Sequence, residues 1–188
     1  VWDTHLISLG SRIMRKRDEV IEQFKEEAQR LHRIISDKNE SLEITYTPSF
    51  KYESVSQLEN NFQDALDRSE REERARGITV IGPHRDDLTL SMDGVPLQSF
   101  GSQGQHKTAA TALKLAEAQF LWKQLETPPL LLLDDIFAEL DAGRTARLIE
   151  LLPTFGQVFI TAAKESDFGA YGNKFQRFRV QAGTVTPF

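Results

Sequence analysis

Through the first third of the chain, apolar residues return at alternating steps of three and four. Ile21, Phe24, Ala28, Leu31 and Ile35 follow one another at this spacing, the period of a helix that buries one face. The pattern predicts one long helix, or two in succession, from about Trp2 to Ile35, with Gly10 as the candidate break. From Ser41 to Tyr46 the period drops to two: Leu42, Ile44 and Tyr46 alternate with polar residues and Pro48 follows, which predicts a strand. Helical spacing resumes from Ser56 to Arg76, with Leu58, Phe62 and Ala65 inward. Its tail, Arg68 to Arg74, is charged on all faces and reads as solvated, and Gly77 is placed to end it.

Beyond Arg76 the pattern changes. Ile78 to Gly82 is a short run of β-forming residues. Leu88–Asp93 and Val95–Phe100 read as a hairpin turning at Asp93-Gly94. Gln105 to Leu125 is helical, with Ala109, Ala112, Leu113, Ala116 and Phe120 on one face, where small residues let a helix approach a sheet closely. Four consecutive leucines, Leu130–Leu133, suit a central parallel strand covered on both faces. Ala142–Leu152 is helical with Asp141 as its N-cap. Gln157–Ala162 is an apolar strand, and Phe175–Val180 a candidate last one. The class is therefore α/β, with a mostly helical lobe over 1–76 and an α/β half-domain over 77–188.

A length of 188 residues suffices for one core plus an appended lobe. With 39% hydrophobic and 27% charged residues, the composition excludes a disordered chain. No apolar run is long enough to span a bilayer and no secretory pattern opens the sequence. Cysteine is absent, which excludes disulfides, a thiol nucleophile and thiolate metal sites, and fits a cytoplasmic protein. The four histidines, His5, His32, His84 and His106, are scattered without zinc-ligand spacing. A formal net charge of −5 argues against a uniformly basic coat for nucleic acid, although the field that matters is local.

The densest chemistry lies where the leucine strand runs into Asp134-Asp135, followed by Ala138-Glu139-Leu140-Asp141. Open α/β sheets bind ligands at the C-terminal ends of their strands. A carboxylate there suits Mg²⁺, which takes one or two carboxylates together with phosphates and water. The alternative is a buried strand followed by a solvated acidic turn. Ser102-Gln103-Gly104-Gln105 opens the Gln105–Leu125 helix, where free N–H groups and the helix dipole favour a phosphate; ordinary capping by Ser102 is the alternative. Gly101–Thr108 comes close to the loop pattern G-x-x-x-x-G-K-[ST], but His106 replaces its second glycine. A β-carbon would crowd the phosphates, so we read the match as chance. Arg85-Asp86-Asp87 reads as a surface ion-pair turn after Pro83, with a nucleotide-site or interface contact as the alternative. Arg12, Arg15, Lys16 and Arg17, extendable by Arg30 and Arg33, form a basic patch that could track DNA phosphates or be a solvated helix face.

The order Ser-Gln-Gly-Gln, helix, leucine strand with Asp-Asp, Ala-Glu-Leu-Asp, helix, then Val158-Phe159-Ile160-Thr161 resembles the C-terminal half of an ABC-type ATPase head. Gly82-Pro83-His84-Arg85-Asp86-Asp87-Leu88, Phe100–Gln105, Leu130–Asp141 and the opening Val1-Trp2-Asp3 are together similar to the RecF family of bacterial recombination mediators, over essentially the whole chain. The resemblance implies the second half of an ABC-type head preceded by a partial, mostly helical arm lobe, with the Walker A loop lying before residue 1. It implies that Asp134 serves the Mg²⁺ shell and that Asp135 orients or deprotonates the attacking water. Ser102, Gln103, Gly104 and Gln105 would be the signature motif, contacting ATP held by the other protomer of a homodimer. Ala138, Glu139, Leu140 and Asp141 would be the D-loop, and the γ-phosphate sensor, where related heads carry histidine, would be Thr161 or absent. It further implies a weak ATPase in the full-length dimer, and an inactive fragment without Walker A. The setting would be bacterial, cytoplasmic and nucleoid-associated. The partners would be DNA at single-strand/double-strand junctions, RecR, RecO and RecA, in gap repair, recombination, replication and the SOS response. Two rival readings stay open: a non-catalytic DNA- or protein-binding module, and another ABC-like chromosome-organising ATPase, although no coiled-coil heptads are present.

Overall fold

The computed structural model describes residues 2–36, 40–137, 140–163 and 174–187. The chain divides into two compact units, Val1–Arg30 with Glu40–Gly101, and Leu31–Asn39 with Ser102–Phe188. The boundary expected near Arg76 thus moves to Gly101. The reason is strand pairing: the segment after Arg76 returns to the strand before it.

α1 (Trp2–Ile35) is a single 34-residue helix that belongs to the first unit as far as Arg30. Gly10 does not break it. A β-carbon there would fall 2.7 Å from Cε1 of Phe62 and 3.2 Å from Cδ of Pro83, so glycine is what permits the close approach. Phe62 sits at the centre of the unit's core with Met14, Phe50, Leu58 and Leu66, its ring 4.8 Å from that of Phe50. Gly10→Ala should therefore destabilise this unit despite the better helix former. Helix propensity gains up to about 1 kcal/mol, while overpacking a fixed ring costs about 1–3 kcal/mol. Urea unfolding should show a net loss of about 1–2 kcal/mol, and an increase in stability would contradict the packing.

The second helix, α2 (Leu58–Arg76), buries Leu58, Phe62, Leu66 and Ser69 and ends as expected at Gly77, whose φ is 67°. In its charged tail Arg68, Glu70, Arg71, Glu72 and Arg74 are exposed, with the i,i+4 pairs Arg74–Glu70 and Arg76–Glu72 at 2.6 and 2.9 Å, but Ser69 is buried and Glu73 half-buried, so the tail is not solvated on all faces. β1 (Leu42–Thr47) pairs antiparallel with β2 (Asp87–Met92), Leu42 opposite Met92 and Thr47 opposite Asp87. The hairpin turn at Asp93-Gly94 forms, with φ of 51° and 77° at its two residues, the signature of a type I′ turn. Its second strand, β3, is only Val95–Pro96 before a one-turn helix, α3 (Leu97–Phe100). The run Ile78–Gly82 is not a strand. Side chains hold its backbone instead: Val80 N–H donates to Glu73 (2.8 Å) and Gly82 N–H to Ser49 (2.9 Å).

Asp86 departs most from expectation. Its side chain is 1% exposed, and its ion-pair partner is Arg17 on α1, at 3.0 Å, rather than the adjacent Arg85. It also accepts from Ser49 N–H at 2.9 Å and from the Tyr46 hydroxyl. Burial, reinforced by that bond to Asp86, pushes the Tyr46 phenol well above its usual range. Arg85 donates to the Thr79 carbonyl instead. Arg17→Ala would leave Asp86 buried without its cation. Losing one partner of a fully buried pair costs about 3–5 kcal/mol. Because the Arg17 side chain is 40% exposed, about 2 kcal/mol is expected in urea unfolding; a change near zero would remove the pair from the fold's support.

In the second unit, α4 (Gln103–Leu125) buries Ala109, Ala112, Leu115, Ala116 and Ala118. β4 (Leu131–Leu133) pairs in parallel with β5 (Val158–Ile160) through the helix α5 (Ala142–Leu151), a βαβ crossover. Leu148, Ile149, Leu152 and Phe155 are fully or almost fully buried. Leu131 and Leu133 are buried, but Leu132 is 69% exposed. Among the described residues, the leucine strand is therefore covered on one face and not on both. The last strand is the first arm of a hairpin, β6 (Phe178–Gln181) with β7 (Thr184–Pro187).

Candidate functional site

The second unit carries two of the arrangements expected from sequence. The first is the N-terminus of α4. The Ser102 hydroxyl accepts from Gln105 N–H at 3.2 Å, and the Gln105 side chain accepts from Ser102 N–H at 2.9 Å. This is a reciprocal capping box, so the capping role of Ser102 is real. Capping and anion binding are compatible. The Ser102 oxygen accepts one bond and keeps its own hydrogen to donate, and the N–H groups of Gln103 and Gly104 have no intrahelical partner at a helix start. Ser102 and Gln103 are exposed. The helix begins at Gln103, so Lys107 and Thr108 already lie within its first turns. Gly101–Thr108 is thus no phosphate-wrapping loop, as expected from His106.

The second arrangement is the end of β4. Thr161, just past β5, joins the two strand ends: its N–H donates to the Leu133 carbonyl at 2.9 Å. Its hydroxyl donates to Asp134 and accepts from Asp135 N–H at 3.1 Å. The hydroxyl proposed as a phosphate sensor is therefore committed to the carboxylate beside it. Asp135 has φ +46°, a left-handed conformation that costs a non-glycine residue about 1 kcal/mol or more and that Asp and Asn tolerate best. Asp134 and Asp135 are both exposed. Among the described residues no cluster of three or more His, Cys, Asp or Glu side chains could hold a metal by itself. An exposed carboxylate at a strand end, with one oxygen occupied by Thr161, fits the single-carboxylate holding that Mg²⁺ accepts when phosphates and water complete its shell.

Asp141 caps α5, accepting from Arg144 N–H at 2.9 Å. That backbone bond holds its carboxyl below the usual range against the opposing effect of burial, with the Arg144 and Arg147 guanidinium groups and Gly143 N–H adding to the lowering. Leu140 N–H donates to the Phe137 carbonyl at 3.2 Å. Ala138 and Glu139 lie outside the described residues. Sequence reading missed Arg144. Its Nη1 donates to the Gly104 carbonyl at 3.0 Å and to the Thr108 hydroxyl at 2.7 Å. Its place three residues after an Asp cap was a local signal; its contacts on α4, 36 and 40 residues away, were not legible.

The basic residues of α1 separate. Arg12 and Lys16, one helical turn apart, are exposed, Lys16 lying 3.4 Å from Glu19. Arg15 is half-buried and pairs with Glu59 at 3.4 Å, and Arg17 is held by Asp86. The four do not form one uncommitted cationic face.

No family model matches the chain. A DNA replication and repair protein RecF from Crocosphaera subtropica is 39% identical over 188 residues, covering 98% of this chain and 50% of that relative. A solved structure of the recombination mediator protein RecF-ATPrS in the RecFOR pathway superposes with a TM-score of 0.77 at 29% identity, over 98% of this chain and 49% of that one. A structure from work on ATP-driven dimerisation and DNA-stimulated activation of SMC ATPases gives a TM-score of 0.53 at 14% identity, over 90% of this chain and 84% of that one; it speaks for the fold alone. The chain spans about half the length of the curated relatives it matches.

Proposed function

Over the half of the RecF length that it spans, the chain belongs to the RecF family, and from that premise we propose that it forms the signature and Walker B side of an ATPase head acting in DNA replication, repair and recombination. The observation that carries the reading is the second unit itself. One unit holds a helix N-terminus capped by an exposed serine, where the first N–H groups of a helix lack intrahelical partners, and a parallel strand ending in two exposed carboxylates. The RecF structures with ATP and an ATP analogue support ATP as the ligand class.

In this mechanism Ser102, with the N–H groups of Gln103 and Gly104, hydrogen-bonds the γ-phosphate of ATP carried by a second protomer. The helix dipole adds to the attraction. Asp135 accepts a hydrogen bond from the attacking water and aligns it, since phosphoryl transfer depends on positioning and charge stabilisation. Asp134 would hold Mg²⁺, which neutralises phosphate charge when bound. Thr161 fixes Asp134 and the Asp135 backbone in register with β5. Two such sites close an ATP-dependent homodimer on DNA at single-strand/double-strand junctions. RecR and RecO act with it to help load RecA, and hydrolysis reopens the dimer. Arg12 and Lys16, both exposed, are the candidates on α1 to meet DNA phosphates, with Lys16 beside Glu19 and with Arg15 and Arg17 held by Glu59 and Asp86.

Calorimetric titration of Mg·ATP into this 188-residue chain tests the assignment. No detectable binding is expected, because signature residues read a nucleotide seated elsewhere. One-site binding lost in Lys107→Ala would make Gly101–Thr108 the phosphate site and overturn the reading.

A further inference from the structure

We propose that Arg144 is a positioning residue that couples the acidic turn after β4 to the N-terminus of α4, so that each nucleotide site senses the state of the other; this rests on the reading of Ser102–Gln105 and Asp134–Asp135 given above. One guanidinium serves both elements. Its Nε lies 3.2 Å from a carboxylate oxygen of Asp141. Its Nη1 donates to the Gly104 carbonyl and to the Thr108 hydroxyl. Thr108 in turn donates to the same Gly104 carbonyl at 2.7 Å, so the first turn of α4 is gripped at two points that bond to each other. The Arg144 side chain is only 15% exposed, while Asp141 is 64% exposed. The linkage is therefore sheltered at the α4 end and open to a partner at the acidic end.

A planar fork with fixed donor directions transmits displacement in a way a flexible ammonium does not. Any movement of the turn that carries Asp141 must either pull on the Gly104 carbonyl or break the Arg144 bonds. Gly104 lies two residues from Ser102. The geometry thus links the segment that follows the hydrolytic carboxylates of one site to the face that reads the γ-phosphate of the other. A structural brace with no coupling role would fix the same atoms but would leave the two sites independent.

The test uses a RecF-length protein carrying this chain and reads hydrolysis against ATP concentration with the protein well above its dimerisation threshold, so that closure itself adds no cooperativity. Coupled sites then give the parent protein a Hill coefficient above about one, with about two as the limit. Arg144→Ala should bring it toward about one while leaving nucleotide affinity of the monomer unchanged. Arg144→Lys should restore charge but little of the cooperativity. Thr108→Val, which keeps the Asp141 cap and side-chain shape, should shift the coefficient the same way and covers the case in which Arg144→Ala fails to fold. A cooperative parent with equally cooperative Arg144→Ala and Thr108→Val variants would overturn the coupling and leave the ATPase reading standing. A parent protein that neither dimerises with ATP nor hydrolyses it would instead overturn the reading itself.

Discussion

Asp135→Asn, in a RecF-length protein carrying this chain, is expected to slow ATP hydrolysis by about a hundredfold or more, the usual weight of a positioned general base, and to lengthen the life of the ATP-bound dimer. The substitution isolates charge from backbone. Asp135 sits at φ +46°, a conformation that Asn tolerates as well as Asp, and its N–H bond to Thr161 does not depend on the side chain. Nucleotide binding and folding should therefore persist while turnover falls. Single-turnover hydrolysis and the dissociation rate of the ATP-bound dimer are the measurements. Unchanged turnover would take Asp135 out of the mechanism.

Ser102→Arg should abolish ATP-driven dimerisation and leave ATP binding by the monomer nearly intact. The hydroxyl at the start of α4 would be replaced by a long cation beside a helix N-terminus, where positive charge is disfavoured. The capping box would be lost too, at a cost of about 1 kcal/mol. Ser102→Asn separates these effects, because Asn caps well but lacks the hydroxyl. It should keep α4 stable and still weaken the dimer. Sedimentation with and without ATP reads the outcome. Loss of monomer binding in Ser102→Arg would place a nucleotide against the same protomer's α4 and contradict the arrangement.

Features governed by local periodicity and by terminus chemistry were legible in the sequence. The three long helices appeared in the spacing of apolar residues, Gly77 marked the end of α2, and Ser102 and Asp141 announced their caps. Asp93-Gly94 announced its turn for the same reason: φ > 0 at both residues restricts the choice. What stayed hidden depends on contacts distant in sequence. Gly10 looked like a helix breaker because its partner, Phe62, lies 52 positions along the chain. Asp86 looked like half of a surface pair with its neighbour Arg85, yet its cation comes from α1. Ile78–Gly82 had strand composition but no strand to pair with. The leucine strand was expected to be covered on both faces, and Leu132 remains exposed among the described residues. At the candidate site, residue types and order put forward Ser102–Gln105 and Asp134–Asp135 as candidates, whereas the commitment of Thr161 to Asp134 and the reach of Arg144 to Gly104 follow from geometry alone.

Whether one protomer's Ser102 serves the other's Asp135 is tested most directly by mixing two variants of the RecF-length protein, Ser102→Arg and Asp135→Asn. Each is expected to be nearly inactive alone. In the mixed dimer, Asp135 from the first faces Ser102 from the second, so one of the two sites is whole. A one-to-one mixture in which sedimentation detects the heterodimer should then recover turnover clearly above the sum of the separate variants and below that of the parent, because each mixed dimer has one working site. Turnover no greater than the sum of the separate variants, with the heterodimer present, would mean that the two motifs do not share a site across the interface.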